Sequence, residues 1–79
     1  IMVAGKVIMR NTLVGGVSGS LDNIDGDLLL GGDLAIVGTP PDVQFWYIDL
    51  TSAEVADGTT IIAPVLNPGD KRWKPYNVI

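Results

Sequence analysis

The stretch VQFWYIDL, residues 43–50, carries the strongest strand signal of the chain and decides its fold class. Aromatic and β-branched residues favour extended structure, and a period of two places Phe45 and Tyr47 on the same face. Trp46 and Ile48 then lie on the opposite face. Because both faces are largely apolar, we expect the strand to be covered on both sides, on one by its own domain and on the other by a neighbouring subunit.

Turn-forming residues separate this strand from an apolar run that precedes it. Gly31-Gly32-Asp33 comes before LAIV, residues 34–37, and such a run is typical of a buried strand. Pro40-Pro41-Asp42 then requires a surface loop, because a proline moves the residue before it out of helical space. Two short strands joined by a surface loop follow from this pattern.

The C-terminal part of the sequence predicts two more short strands. Within DGTTIIAPVLNPGDKRW, residues 57–73, Asp57-Gly58 is a turn signal. Residues 59–65 form a β-branched strand in which Pro64 marks an edge or an end. A final strand is predicted over residues 71–79. Short β-segments joined by Gly, Pro and Asp turns predict an all-β fold, which we expect to be a small antiparallel β-sandwich or barrel-like module.

The N-terminal residues are predicted to form an extended arm that is separate from this body. The β-branched side chains favour extended structure over residues 1–14, and an edge strand there needs a partner, which another subunit could supply. GGVSG, residues 15–19, is a Gly-rich joint, because glycine accepts positive φ and resists both helix and strand. Residues 20–79 then form the β-domain. At its start, SLDNI predicts one helical turn capped by Ser20.

Length and composition predict that the chain associates with copies of itself. Its 79 residues form one small domain, and a chain of this size hides only about 60–65 % of the surface that its unfolded form exposes. The sequence has neither cysteine nor histidine, which removes disulfides and zinc sites as supplements to the core. Because 47 % of the residues are hydrophobic, we expect apolar surface to meet other subunits.

Neither a membrane nor a nucleic acid is expected as a partner. No apolar segment reaches the roughly 20 residues that would span a bilayer. The net charge is −4, and residues 21–57 hold eight acidic residues and no basic one. Nucleic-acid binding requires a continuous basic face that releases counterions from the phosphates, and this acidic stretch does not provide one.

No constellation of side chains predicts catalysis, a metal or a cofactor. Four aspartates lie close together in sequence, namely Asp22, Asp25, Asp27 and Asp33. The leucines 28–30 interrupt the spacing that an EF-hand requires, so turn-forming aspartates are the better account. Asp49 with Glu54 or Asp57 could supply a glycosidase pair, but a chain of this size leaves little room for a sugar subsite. The serines have no histidine to activate them.

Exposed aromatic rings can stack on sugars, and the candidates for such a role are Trp46, Trp73 and Tyr76. Trp73 lies between Arg72 and Lys74, which allows cation–π contacts and equally describes a core tryptophan with charged neighbours. Because large aromatic side chains dominate small cores, packing is the favoured interpretation. Carbohydrate binding, with recognition of host surface glycans, is the alternative function.

Three segments in order, GDLAIV, FWYIDLTSAEVADGTTIIAP and NPGDKRW, resemble a small β-module of bacteriophage virion proteins. That module occurs in tail fibres, tailspikes and head fibres. The matching positions are Gly32-Asp33, Phe45 to Asp49, Asp57 to Pro64 and Gly69 to Trp73, and the resemblance extends over residues 24–74. In tailspikes a long β-helical domain follows, whereas this sequence stops at Ile79, which favours a short attachment or decoration protein or the anchoring fragment of a longer one.

The resemblance implies a non-enzymatic structural part of a virus particle, a fibre, tail or head attachment module or a capsid decoration module. Such modules are typically trimeric, so the expected partners are two further copies of the chain and other virion proteins of the capsid, tail or fibre. The expected location is the virion, after assembly in the host cytoplasm. Oligomeric, β-rich contacts are expected, and the interface candidates are Val7, Met9, Phe45, Trp46, Tyr47, Ile48, Trp73 and Tyr76.

Overall fold

Four strands form one open sheet in the computed structural model, which describes residues 5–76. The strands lie side by side in chain order, and they are β1 (Val7–Arg10), β2 (Leu34–Thr39), β3 (Asp42–Asp49) and β4 (Arg72–Pro75). The described residues contain no α-helix. The prediction of a small, mainly β protein is therefore confirmed, although the sheet is not closed into a barrel.

The sheet is mixed, so the expectation of purely antiparallel pairing is wrong. β1 runs parallel to β2, whereas the pairs β2–β3 and β3–β4 are antiparallel. A parallel pair needs a long crossover connection, and residues 11–33 provide it with two 3-10 turns, Leu21–Asn23 and Gly26–Leu28. β1 falls within the predicted N-terminal arm and pairs with the sheet of its own chain, and residues 1–4 of that arm lie outside the described residues.

β2 and β3 form a hairpin that turns at Pro40-Pro41, where the peptide bond is cis. Thr39 pairs with Asp42 at the turn. Gly38 has a φ of +118°, and a Cβ at this position would lie 2.5 Å from the carbonyl oxygen of Asp42. Only glycine fits this close approach of the two strands. The predicted strands over residues 34–37 and 43–50 are both present.

One face of the sheet is covered by loops and holds the hydrophobic core. The sheet contributes Ala35, Val37, Trp46, Ile48 and Trp73. The loops that cover this face contribute Leu21, Ile24, Leu29 and Ile62. Burial alternates over residues 45–48 of β3, where Trp46 and Ile48 are buried and Phe45 and Tyr47 are exposed. Each large apolar side chain buried in this way contributes about 1.5–3 kcal/mol to folding.

Asp33 fastens the start of β1 to the start of β2. Its buried carboxylate accepts hydrogen bonds from the backbone N–H of Lys6 (3.0 Å), from the backbone N–H of Leu30 (2.8 Å) and from Lys6 Nζ. Burial alone would raise the pKa of this carboxyl, but the hydrogen bonds from Leu30 and Lys6 outweigh it and leave the pKa below its ordinary value. The crossover connection is thus anchored where it enters β2.

Asp22 anchors the Gly-rich segment 15–19 in a similar way. Its carboxylate accepts from the backbone N–H of Gly15 (3.2 Å) and of Gly16 (2.9 Å), and Ser20 Oγ lies 2.7 Å from Asp22 Oδ1. The helical turn predicted for SLDNI is present as a 3-10 turn, and Ser20 stands at its N-cap position. Its side chain does not cap the turn, because Ser20 Oγ pairs with the Asp22 carboxylate and the Val17 backbone instead of accepting from a backbone N–H of the turn.

Residues 59–65, predicted as a strand, pair with β4 at Ile62 alone among the described residues. The Ile62 N–H donates to the Trp73 carbonyl (3.0 Å), and the Ile62 carbonyl accepts from the Trp73 N–H (2.7 Å). The Asp57 carboxylate bends the chain before this contact by accepting from three backbone N–H groups. Pro64 follows and has no N–H to donate. The final predicted strand is β4, and residues 77–79 lie outside the described residues.

Candidate interaction surface

The second face of the sheet carries apolar side chains that solvent can reach. Strand alternation places Val7 and Met9 of β1 and Phe45 and Tyr47 of β3 on this face, and Tyr76 joins them after β4. Their exposed fractions range from 36 % at Tyr47 to 64 % at Met9. Between them lie two half-buried residues of β2, Leu34 and Ile36. These seven residues form the open face.

The centre of the open face is a groove of about 280 Å³ with an apolar lining. The lining residues are Val7, Leu34, Ile36, Phe45, Trp46 and Tyr76. Met9, Ile36 and Phe45 stand in one row across three strands. The rings of Tyr47 and Tyr76 meet edge to face, with centroids 6.3 Å apart and planes at 80°. The apolar side chains are therefore contiguous rather than scattered.

A contiguous apolar surface of this kind is characteristic of a contact site. Monomeric soluble proteins rarely expose an apolar patch larger than a few hundred Å², and larger patches mark interaction surfaces. An apolar sheet face is normally buried against a second layer of structure. The open face is therefore the candidate functional site of this molecule.

An ion-pair network lies beside the open face at its β3–β4 end. Lys74 Nζ lies 3.0 Å from Asp49 Oδ2 and also contacts Glu54 Oε1. The pKa of Glu54 is lowered by hydrogen bonds from Lys74 and Ser52, and the pKa of Asp49 is lowered by the Thr51 N–H and by Lys74. A glycosidase needs one carboxyl with a raised pKa. The pKa values of Asp49, Glu54 and Asp57, the carboxyls considered from the sequence, are all lowered instead.

Five of the eight predicted interface residues meet on the open face, and the other three do not. Trp46, Ile48 and Trp73 are buried in the core of their own chain, with exposed fractions of 2 %, 6 % and 0 %. The reason is strand parity, since the even positions of β3 face the core and Trp73 stands opposite Ile48 in β4. Ile48 and Trp73 therefore lie on the core side of the sheet, and Trp46, although it contributes to the lining of the groove, leaves only 2 % of its surface exposed.

The burial of Trp46 and Trp73 also bears on the three residues considered for stacking on a glycan. A ring must be exposed to stack on a sugar, and Trp46 and Trp73 are not. Tyr76 is 48 % exposed and is the one of the three that a sugar can reach. Its ring stands nearly perpendicular to that of Tyr47, so the two tyrosines do not make a flat platform.

Asp22 and Asp25 serve local turns, as the sequence predicts, whereas Asp33 also binds Lys6 at the start of β1. The carboxylate of Asp25 accepts from the Asp27 N–H (2.9 Å) and from the Asn67 side chain (2.8 Å). Within residues 5–76, no group of three or more acidic side chains is arranged to hold a metal ion. Over the same range, no helix has the length and apolar character needed to cross a membrane.

Leu34 and Ile36 complete the open face, and the sequence did not indicate them as interface residues. The run 34–37 is apolar at every position, so a period of two does not tell which pair faces the core. The hairpin register supplies this information, because Ile36 stands opposite the exposed Phe45 and Ala35 stands opposite the buried Trp46. Aligning residues 34–37 with the aromatic strand would have indicated that Leu34 and Ile36 face the open side of the sheet.

Comparisons of the chain with family models, with curated proteins and with solved structures find no match.

Proposed function

We propose that this chain is a non-enzymatic assembly module that associates with copies of itself through the open face. The resemblance of the sequence to bacteriophage virion modules supplies the biological context that we propose for this role. The module attaches a fibre, tail or head component, or decorates a capsid, and it acts in the virion. The observation that carries the proposal is the apolar open face of the sheet.

The one-sided covering of the sheet supports self-association. A sheet with apolar residues on both faces needs a layer against each of them, and the loops of the chain supply the layer over the core face. The open faces of other copies would supply the missing layer. The second layer of the β-sandwich or barrel-like module expected from the sequence is therefore proposed to come from other chains.

A trimer is the assembly that we propose. Three open faces directed at a common three-fold axis would bury Val7, Met9, Phe45 and Tyr76 of every chain in one shared core. The loops that cover the other face would stay outside, where other virion proteins can contact them. Closed symmetry of this kind leaves no copy with an uncovered open face.

The small size of the core also favours assembly. A domain of fewer than about 80 residues seldom gains more than a few kcal/mol from its own core. The chain has no cysteine for a disulfide. Phe45 is 42 % exposed, so covering its exposed part between copies would add about 1 kcal/mol per chain. Self-association therefore stabilises the fold as well as building the assembly.

The test is sedimentation equilibrium of the wild-type chain and the Phe45→Lys variant. Phe45 lies at the centre of the open face and is 42 % exposed, so this substitution changes the contact more than the fold. We expect the dissociation constant of the oligomer to rise at least about 30-fold, which corresponds to the loss of about 2 kcal/mol of apolar burial.

Val17→Lys is the matched control, because Val17 is 61 % exposed and lies outside the open face. The same gain of one positive charge there should leave the oligomer intact. A Phe45→Lys variant that sediments like the wild-type oligomer would contradict the proposal, and so would equal weakening by both substitutions.

Host glycan binding is the weaker alternative, because it depends on Tyr76 alone of the three rings considered. A glycan array would decide between the two functions. Binding that is abolished by Tyr76→Ala and left unchanged by Val17→Lys would favour the glycan. Absence of binding to any sugar would remove this alternative.

A further inference from the structure

Within the described residues 5–76, the sheet has one free edge, at β1. The outer edge of β4 is occupied at Trp73 by Ile62, whereas β1 pairs with β2 alone among residues 5–76. The Leu34 N–H donates to the Lys6 carbonyl (2.9 Å), and this parallel pattern turns the backbone N–H groups of Val7 and Met9 away from β2. Both N–H groups are therefore placed to pair with a further strand.

The free edge has a definite chemical pattern. Val7 and Met9 lie on the open face, whereas Ile8 and Arg10 lie on the other side of the sheet. Arg10 Nη1 donates to the Met9 carbonyl (2.9 Å), and Arg10 Nε is buried without a hydrogen-bond partner in the part of the chain that the structure describes. A strand that fits this edge carries an apolar side chain beside Val7 or Met9 and an acidic side chain beside Arg10.

Residues 53–56, with the sequence AEVA, have this pattern and form no regular secondary structure. Val55 is 87 % exposed, the largest fraction among the exposed large hydrophobic side chains of the described residues. The backbone N–H of Val55 has no acceptor within residues 5–76. In an extended conformation Glu54 points to the side opposite Val55. The segment therefore offers an apolar and an acidic side chain on opposite faces.

This segment lies beside β4, at the side of the sheet away from β1. Arg72 Nε donates to the Glu54 carbonyl (2.8 Å), and the Ser52 N–H donates to the Asp70 carbonyl (2.8 Å). The strand order β1-β2-β3-β4 separates the two regions by the width of the sheet. A contact between them joins different surfaces of two copies, and head-to-tail contacts of this type can close into a ring.

We propose that residues 53–56 of one copy add as a strand to β1 of the next copy. Val55 then extends the open face next to Val7 and Met9, and Glu54 approaches Arg10. Lys74 keeps Asp49 as its partner when Glu54 turns toward Arg10. The inference rests on the proposed function, since it identifies the edge contact within the same trimer.

Pairing of β1 with β1 of another copy fits less well. In an antiparallel pair centred on Ile8, Arg10 of each chain stands opposite Lys6 of the other, and like charges directly opposite each other are destabilising. Such a pair also joins only two chains. The acidic segment 53–56 avoids both difficulties.

Cysteine cross-linking tests the contact, because the chain has no cysteine of its own. Met9→Cys and Val55→Cys are prepared as single variants, and each is oxidised alone and in a mixture of the two. A second mixture, in which Val7→Cys replaces Met9→Cys, tests the neighbouring register. We expect covalent dimers to be several-fold more abundant in a mixture than in either variant alone. Ser18→Cys replaces Val55→Cys as the control, since Ser18 is exposed and lies outside the segment.

The outcomes separate this inference from the proposed function. Cross-linking of Met9→Cys alone, at the level of the mixture, overturns the inference in favour of β1–β1 pairing. An absence of cross-links in a protein that sediments as a trimer overturns the inference and leaves the open-face contact standing. A protein that sediments as a monomer overturns both proposals.

Discussion

The carboxylate of Asp33 joins two strands that are distant in sequence. Its partners are the backbone N–H groups of Lys6 and Leu30 together with Lys6 Nζ. In Asp33→Asn one oxygen becomes an amide nitrogen that cannot accept, so a part-buried backbone N–H, of Lys6 or of Leu30, loses its acceptor. We expect the free energy of unfolding to fall by about 2 kcal/mol, as is typical for a hydrogen bond to a buried charged group.

Urea denaturation measures this loss, and Asp27→Asn is the matched control. Asp27 is an exposed aspartate six residues away, and no hydrogen bond of its side chain is recorded among the described residues. The control should stay within about 0.5 kcal/mol of the wild type. Equal effects of the two substitutions would show that Asp33 does not anchor β1.

Asp33 also gives the wild type a predictable dependence on pH. Its pKa is lowered in the folded chain, so its contribution is fully present above the ordinary aspartate pKa of about 3.9 and is lost as the pH falls through the lower folded pKa. The difference in stability between the wild type and Asp33→Asn should therefore be constant near neutral pH and shrink in acid. A difference that grows on acidification would contradict this assignment.

At the scale of the secondary structure elements, the β2–β3 hairpin depends on Gly38. An alanine there would adopt a φ of +118° and place its Cβ 2.5 Å from the Asp42 carbonyl oxygen. We expect Gly38→Ala to cost at least about 2 kcal/mol, because backbone strain and a clash with main-chain atoms act together. Thermal and urea denaturation measure the loss.

Gly31→Ala is the control for this prediction, since a Cβ at Gly31 would meet only Leu50 Cδ1 at 3.6 Å, an ordinary contact. This variant should remain within about 0.5 kcal/mol of the wild type. A Gly38→Ala variant as stable as Gly31→Ala would mean that the two strands do not approach each other as closely as the register requires.

The elements that the sequence predicts well are those in which local preference and tertiary pairing agree. Residues 43–50 are aromatic and β-branched, and β3 follows them almost throughout. Residues 59–65 have the same local preference, but the Asp57 turn and Pro64 leave only Ile62 to pair. The parallel pairing of β1 was not predicted, because it depends on Asp33, a residue that reads as turn-forming in the sequence.

At the scale of the whole molecule, the sequence indicates that both faces of β3 are apolar but not where the second cover comes from. Phe45 and Tyr47 have the same pattern whether the covering layer belongs to their own chain or to another one. Among residues 5–76, loops cover the core face alone and the open face is exposed. For this reason the aromatic strand indicates an apolar face that needs a cover, whereas the number of chains in the proposed assembly is not encoded in any local pattern.

The molar mass of the wild-type chain in solution, measured by light scattering over a range of concentrations, tests the open-face contact most directly. We expect a species of three chains, about three times the 8.3 kDa of one, which dissociates on dilution and is absent from Phe45→Lys. A mass of 8.3 kDa at every concentration would contradict it, because the open face would then be stable in contact with water alone.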